Sequence, residues 1–360
     1  DQLKTLATRG PAYGIRFVVT GSKSTDIRFN LASSFPGRIE MRLTDPMDSQ
    51  FGRKAAERMP EDRPGRSMIA GELFAHAALP RIDAVADTDD LSRGIREATA
   101  AIAASTTGRA RQVRLLPRIV TPADLRPDPL RPELVPVGLE ESSVKTHYFD
   151  LLDRDANVMV LGESETGKTT LLKYLVEQML ARHTPNELVI AVFDPKRNLR
   201  DVFPPEYVGG YASSVAVAGG LVQGIIPDLD SRVPRTVESQ DSAETMAGKP
   251  RILMVMDDYD MIQMAGTNLL GELRRHIALS AEIRFQIFLT RRIQGASRAL
   301  FDAGFSALRD SGAVGVQLSG DRAEGMLLGN VRPTKMPPGR GQVIRSGYAP
   351  EIVQFVLPTS

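Results

Sequence analysis

Four short runs of uninterrupted apolar residues organise the chain: Val158-Met159-Val160-Leu161, Leu188 to Phe193, Ile252 to Met256, and Ile287-Phe288-Leu289. Apolar at consecutive rather than alternate positions, they fit strands buried on both faces, as in a parallel sheet covered by helices. Leu171, Leu172, Leu175, Val176, Met179 and Leu180 fall on one helical face that opens near Lys168. Strand and helix therefore alternate, which predicts an α/β fold with a mostly parallel sheet flanked by helices. Upstream, Asp89 is placed to cap a helix whose stripe is Leu91, Ile95, Ala98 and Ile102, and residues 109–116 read as a strand. Prolines 117, 122, 127, 129, 132 and 136 then crowd a stretch without either period, which predicts an extended connector. The expected division is residues 1–120, a linker at 121–134, and a domain at 135–360.

The two ends of the chain carry similar segments in the same order. Phe17-Val18-Val19-Thr20, a run ending in Thr44-Asp45, and Pro64-Gly65-Arg66 are answered by Ile287-Phe288-Leu289-Thr290, a run ending in Gly320-Asp321, and Pro338-Gly339-Arg340. The offsets are 270, 276 and 274 residues. Ordered matches at nearly constant spacing predict a duplication. The N-terminal copy would hold only the back half of a domain, with an uncovered sheet edge and no nucleotide site of its own.

Composition narrows the chemistry. There are no cysteines, which excludes disulfides, thiolate metal sites and cysteine nucleophiles, and the four histidines are scattered in sequence. The chain opens on a charged amphipathic stretch rather than a signal peptide, and it has no run long enough to span a membrane, so the expected compartment is cytoplasmic. Residues 1–130 hold 20 basic against 16 acidic side chains and residues 131–360 hold 25 against 28. Neither part is the polycation that counterion release to duplex phosphates requires, so no nucleic-acid partner is expected.

Gly162-Glu163-Ser164-Glu165-Thr166-Gly167-Lys168-Thr169 is a complete G-x-x-x-x-G-K-T motif, between a predicted strand and a predicted helix. Its backbone N–H groups are suited to converge on phosphates. Lys168 would reach the outer phosphates, and Thr169, followed by Thr170, would begin the helix and ligate Mg²⁺. The expected cofactors are ATP and Mg²⁺. The run Ile252 to Met256 ends in Asp257-Asp258; Asp257 would hold the Mg²⁺, and Asp258 stands where a glutamate usually polarises the attacking water. Two readings stand for Asp258: a catalytic group, or a structural carboxylate in a site that binds nucleotide and hydrolyses it slowly. Glu163 and Glu165 place anions in the loop, so replacing Glu165 with alanine should tighten ATP binding. Strand 188–193 lies between the two motifs in sequence, which suits the additional-strand P-loop class. Thr290 is placed to sense the γ-phosphate, and Arg291, Arg292 and Arg298 are candidates for a ring interface, for charge compensation, or for a solvated face.

Several phrases taken together resemble a known family. These are Gly162 to Leu172, Phe193-Asp194-Pro195-Lys196, Tyr207-Val208-Gly209-Gly210-Tyr211, Asp257-Asp258-Tyr259-Asp260, Ser319-Gly320-Asp321-Arg322 and Pro337 to Gly341. Phe193 to Lys196 is similar to the wider FtsK/SpoIIIE translocase superfamily, and the other phrases are similar to the last ATPase domain of its relatives, the EccC-type coupling ATPases of type VII (ESX) secretion. Residues 11–83, including Leu79-Pro80-Arg81-Ile82-Asp83, look like the tail of the preceding ATPase domain. The resemblance implies a RecA/FtsK-like P-loop NTPase in tandem with a partial copy of the same fold. It also implies a ring of like EccC-type subunits, attachment to the ESX membrane complex, and recognition of the C-terminal signal of WXG100 (Esx) substrates. The alternatives are a DNA translocase, for which only twenty residues after Arg340 leave no room for a winged-helix reader, and a nucleotide-binding pseudo-ATPase scaffold.

Overall fold

The computed structural model describes residues 2–69, 73–108, 114–233, 246–264 and 268–358. Two units make up the chain, Asp1–Arg111 and Gln112–Ser360. The division therefore falls before the proline-rich stretch and not within 121–134. That stretch is built into the second unit. Val120 is fully buried and pairs with Val356, Leu357 N–H donates to Val120 O at 2.7 Å, and Arg340 Nη2 donates to the carbonyls of Leu116 and Pro117 at 3.1 and 2.8 Å. Prolines remove donors but leave carbonyls, and here side chains and neighbouring strands supply the missing partners.

The first unit contains strands β1 (Glu40–Met41), β2 (Arg66–Ile69) and β3 (Leu73–His76), antiparallel in that order, and a helix at Leu91–Ser105. Its buried apolar cluster is small: Ala55, Ala56, Met59 and Met68, with Phe51 and Phe74 against it. Phe17 to Thr20 forms no strand, and Val18 is 95% exposed. A strand needs a partner for its N–H and C=O groups, and the described residues of this unit offer none there. Most of the expected strand at 109–116 lies outside the described residues, and 114–116 is not in a strand. Asp90, not Asp89, precedes the helix; its carboxylate pairs with Arg81, which also grips Asp83 at 2.7 Å.

The second unit is a sheet of ten strands among the described residues. They are β4 (Val135–Glu140), β5 (Thr146–Phe149), β6 (Val158–Gly162), β7 (Leu188–Phe193), β8 (Val208–Ala212), β9 (Arg251–Met256), β10 (Phe285–Arg292), β11 (Val314–Leu318), β12 (Arg340–Ile344) and β13 (Glu351–Phe355). The order is β5-β4-β13-β12-β11-β6-β10-β9-β7-β8. Strands β11, β6, β10, β9, β7 and β8 run parallel, and the remaining four, β12, β13, β4 and β5, pair antiparallel. Every residue of β6 is buried, as is nearly all of β9 and β10, which explains their uninterrupted apolar sequence. Alternate residues feed two cores, Val158, Val160 and Phe288 on one face and Met159, Leu161 and Leu289 on the other. The strand inserted between β6 and β9 is β10, not β7, which lies beyond β9 although it comes earlier in the chain.

The β1-β2-β3 and β11-β12-β13 triplets have the same antiparallel order. Gly65 and Gly339 both have positive φ, 84° and 71°, and their carbonyls accept from Ala77 N–H and Phe355 N–H at 2.8 and 2.7 Å. Asp45 and Asp321 each accept from the second backbone N–H that follows, at 2.9 Å, and so open a short 3₁₀ turn.

Candidate nucleotide site

The loop between β6 and the Lys168–Leu180 helix curls through two positive-φ positions and one close approach. Gly162 tolerates no side chain, since a Cβ would stand 2.5 Å from Thr166 Oγ1 and 3.0 Å from Leu318 Cβ. Gly167 has φ +101° and Glu165 φ +61°. Thr166 Oγ1 donates to Glu163 O at 2.9 Å, and Lys168 Nζ donates to the same carbonyl at 2.7 Å. The lysine is thus folded over the loop and nearly buried; burial pushes its ammonium below the usual lysine range, against the pull of Asp258 and Asp257. Glu163 is half-buried, while Ser164 and Glu165 face solvent.

Tertiary contacts brace the loop on each side. Glu163 N–H donates to Ser319 O at 3.0 Å, Gly339 N–H to Thr166 O at 2.9 Å, and Ile293 N–H to Gly162 O at 3.2 Å. Gln354 Nε2 holds Pro338 O at 3.0 Å, and Met336 N–H donates to Ser319 Oγ at 3.1 Å. The Ser319 and Pro337 to Gly341 phrases are therefore structural collars of the loop.

Asp257 is fully buried at the end of β9. Thr169 Oγ1 donates to its Oδ2 at 2.8 Å, and Thr290 Oγ1 to its Oδ1 at 2.6 Å. Burial pushes the Asp257 carboxyl up, against these two hydroxyl bonds. Thr290 also accepts from Asp258 N–H at 2.9 Å. Its hydroxyl is committed to the two aspartates, and it does not line the cavity. Asp258 has φ +46°, is 4% exposed, and its Oδ2 lies 2.7 Å from Lys196 Nζ. Asp194 accepts from the N–H groups of Asn198 and Leu199 at 3.0 and 2.7 Å and from Tyr211 Oη at 3.0 Å, which fixes the turn that carries Lys196.

Arg291 is buried, its guanidinium 5.6 Å from the Phe305 ring centroid, so the solvated-face reading fails for it. Arg292 binds Asp260 through Nε at 2.6 Å and through its backbone N–H at 2.9 Å, and Arg298 is exposed. Residues distant in sequence also gather elsewhere: the ligand atoms of Glu140, His147 and Glu351 lie within 4.8 Å of one another. Arg345 Nη1 sits 3.3 Å from His147 Nε2, so a cation already occupies the second ring nitrogen of that trio.

A cavity of ≈ 810 Å³ adjoins the loop. Ser164, Glu165, Gly167, Lys168, Thr169 and Thr170 form one end, with Lys196 and Asp258 beside them. Ile119, Phe355 and Leu357 form an apolar wall that sequence reasoning missed, flanked by Pro338 and by the charged Arg118. No motif marks those three residues; strand β13, the residues just after it and the 118–120 segment bring them together. The residues fit a magnesium nucleotide: a glycine-bent loop at a helix start, a lysine, a hydroxyl and a carboxylate for a hard cation, and an apolar wall for a base.

A model of the FtsK/SpoIIIE family matches residues 123–218. Over 358 residues, 98% of its length, the chain is 32% identical to the ESX secretion system protein EccC of Thermomonospora curvata, of which it spans 27%. It is 31% identical over 356 residues to the ESX-4 secretion system protein EccC4 of Mycobacterium tuberculosis, of which it spans 28%. The chain thus corresponds to about a quarter of the length of these relatives. Thermomonospora curvata EccC (ATPases 2 and 3) in complex with a signal sequence peptide matches it with a TM-score of 0.75 at 30% identity, over 100% of this chain and 65% of that one. Along nearly its whole length the chain is homologous to about a quarter of the length of the EccC proteins of ESX secretion systems, and its second unit has the fold of the FtsK/SpoIIIE-type P-loop ATPases.

Proposed function

We propose that the second unit binds Mg²⁺-ATP and acts as an ATPase part of a type VII secretion machine. The observation that carries this reading is that Thr169, which lines the cavity beside Lys168, donates at 2.8 Å to the buried carboxylate of Asp257 behind it. Gly162 to Thr170 would hold the phosphates, Thr169 and Asp257 the Mg²⁺, and the Ile119, Phe355 and Leu357 wall the base. When bound, the ion supplies charge neutralisation at the phosphates. Lys168→Ala should abolish ATP binding in calorimetry and ATP turnover alike; unchanged binding would overturn the assignment.

One observation favours slow turnover. Asp258 is one methylene shorter than glutamate and is already paired with Lys196. In this reading nucleotide serves structure or regulation more than continuous cycling, and the wild-type turnover that Lys168→Ala removes is small.

The first unit is the rear portion of a second ATPase domain of the same fold. The matched β1-β2-β3 and β11-β12-β13 triplets, the paired Gly65 and Gly339 turns, and the Asp45 and Asp321 caps support this. The working assembly is a ring of EccC-type subunits on the cytoplasmic face of an ESX membrane complex, and the cargo is a WXG100 (Esx) protein read through its C-terminal signal. Among the described residues no helix is long and apolar enough to cross a membrane, so attachment would come through partners or other segments. Pull-down of a WXG100 protein with and without its tail tests the cargo reading; undiminished capture of the truncated protein would refute it.

A further inference from the structure

We infer that Lys196 is a second cation of the nucleotide site, reading the terminal phosphate, and that Asp258 parks it until that phosphate is present. The inference rests on the nucleotide-site reading above and deepens it.

Lys168 and Lys196 both line the cavity, beside Thr169 and Ser164. They differ in how they are held. Lys168 is nearly buried and folded onto Glu163 O, whereas the Lys196 side chain is 46% exposed, with its Nζ on a carboxylate that is itself buried. Its backbone is fixed: the turn is tied by three bonds to the Asp194 carboxylate, and Asp194 N–H donates to Ala212 O at 2.9 Å. The long side chain can therefore swing from a rigid base.

Charge gives that swing a direction. A terminal phosphate would arrive beside Asp257 and Asp258, two adjacent buried carboxylates, and the repulsion between such anions is large at low dielectric. Of the cations on the cavity wall, Lys196 is the one in contact with Asp258. Shared between Asp258 and the phosphate, it offsets that repulsion; a diphosphate, which ends one group earlier, makes no such demand. Lys196 therefore acts on the preference for triphosphate over diphosphate rather than on nucleotide binding in general. A purely structural ion pair would treat both nucleotides alike.

The test is equilibrium affinity, measured by calorimetry on the full chain with Mg²⁺ and either ADP or a non-hydrolysable ATP analogue. Lys196→Ala is expected to weaken the analogue about tenfold, the effect of one charge-assisted contact, while ADP changes by less than about twofold. Lys196→Arg should keep most of the preference, and Asp258→Asn, by releasing the lysine, should tighten the analogue. If Lys196→Ala leaves Asp258 uncompensated and unfolds the unit, the double variant with Asp258→Asn, compared with Asp258→Asn alone, reads the same ratio. Equal losses for both nucleotides, or no loss, would overturn the role of Lys196 while leaving the nucleotide site intact. A wild-type chain that binds neither nucleotide would overturn both.

Discussion

At the scale of single residues, the effect of each charge is decided by burial. Glu165 belongs to the loop but faces solvent, so its repulsion of a bound triphosphate is screened. Glu165→Gln, which removes the charge and keeps the shape, should tighten ATP binding a few-fold at low salt and by less at high salt in calorimetry; weaker binding would contradict the sign. Glu165→Ala tests the same charge, with an alanine that must also occupy φ +61°. His147 shows the opposite extreme. It is 6% exposed, and burial, followed by the charge of Arg345, pushes its imidazole down to about 4, with Glu140 and Asp155 pulling the other way. A histidine in the unfolded chain titrates near 6.5, so between those values the unfolded state binds the extra proton. The resulting stability, about 3 kcal/mol, is present above pH 6.5 and is lost as the pH falls toward 4. Urea midpoints should drop between pH 7 and pH 5 in the wild type and much less in His147→Asn, with Glu140, Glu351 and Arg345 common to both. Parallel pH curves would assign the loss to other groups.

At the scale of elements, the phosphate loop depends on chain that lies far away in sequence. Gly339 joins the loop, through Thr166 O, to strand β13, through Phe355 N–H. It has φ +71°, and a Cβ there would stand 2.9 Å from Gln354 Nε2, the amide that holds Pro338 O. Gly339→Ala should therefore cost about 1–2 kcal/mol in backbone strain alone and should weaken nucleotide binding by loosening the collar. Chemical denaturation and an ATP titration of the same variant check the two effects. Normal binding in a destabilised protein would show that the collar does not shape the loop. The inserted strand makes a related point. Sequence order puts β7 between the two motif strands, but β10 takes that place in the sheet, because a right-handed parallel crossover need not dock beside its predecessor. The insertion brings Thr290 against Asp257, where it braces the carboxylate instead of facing the cavity.

At the scale of the whole molecule, the proposed nucleotide site is built from residues of the second unit alone, so ligand should act on the two units unequally. Bound nucleotide stabilises only the fold that contains its site, by an amount that grows with ligand concentration over Kd. In calorimetry, Mg²⁺-ATP should raise the unfolding temperature of the second unit and leave that of the first unchanged; a shared shift would show that the units unfold together. The amino-acid sequence by itself determined the motif strand, the loop, Lys168, Thr169 and the Asp257-Asp258 pair, because phosphate binding uses neighbours along the chain, and consecutive apolar residues mark a strand buried on both faces. It also marked the Gly65 and Gly339 turns. Only the tertiary structure decided which strand enters the middle of the sheet, that the proline-rich 121–134 segment belongs to the second unit, that Thr290 braces Asp257, and that Ile119, Phe355 and Leu357 wall the cavity. It also decided that Lys196 finds Asp258. Each of these joins residues tens to hundreds of positions apart, and such contacts follow from which apolar faces meet, not from any local spacing.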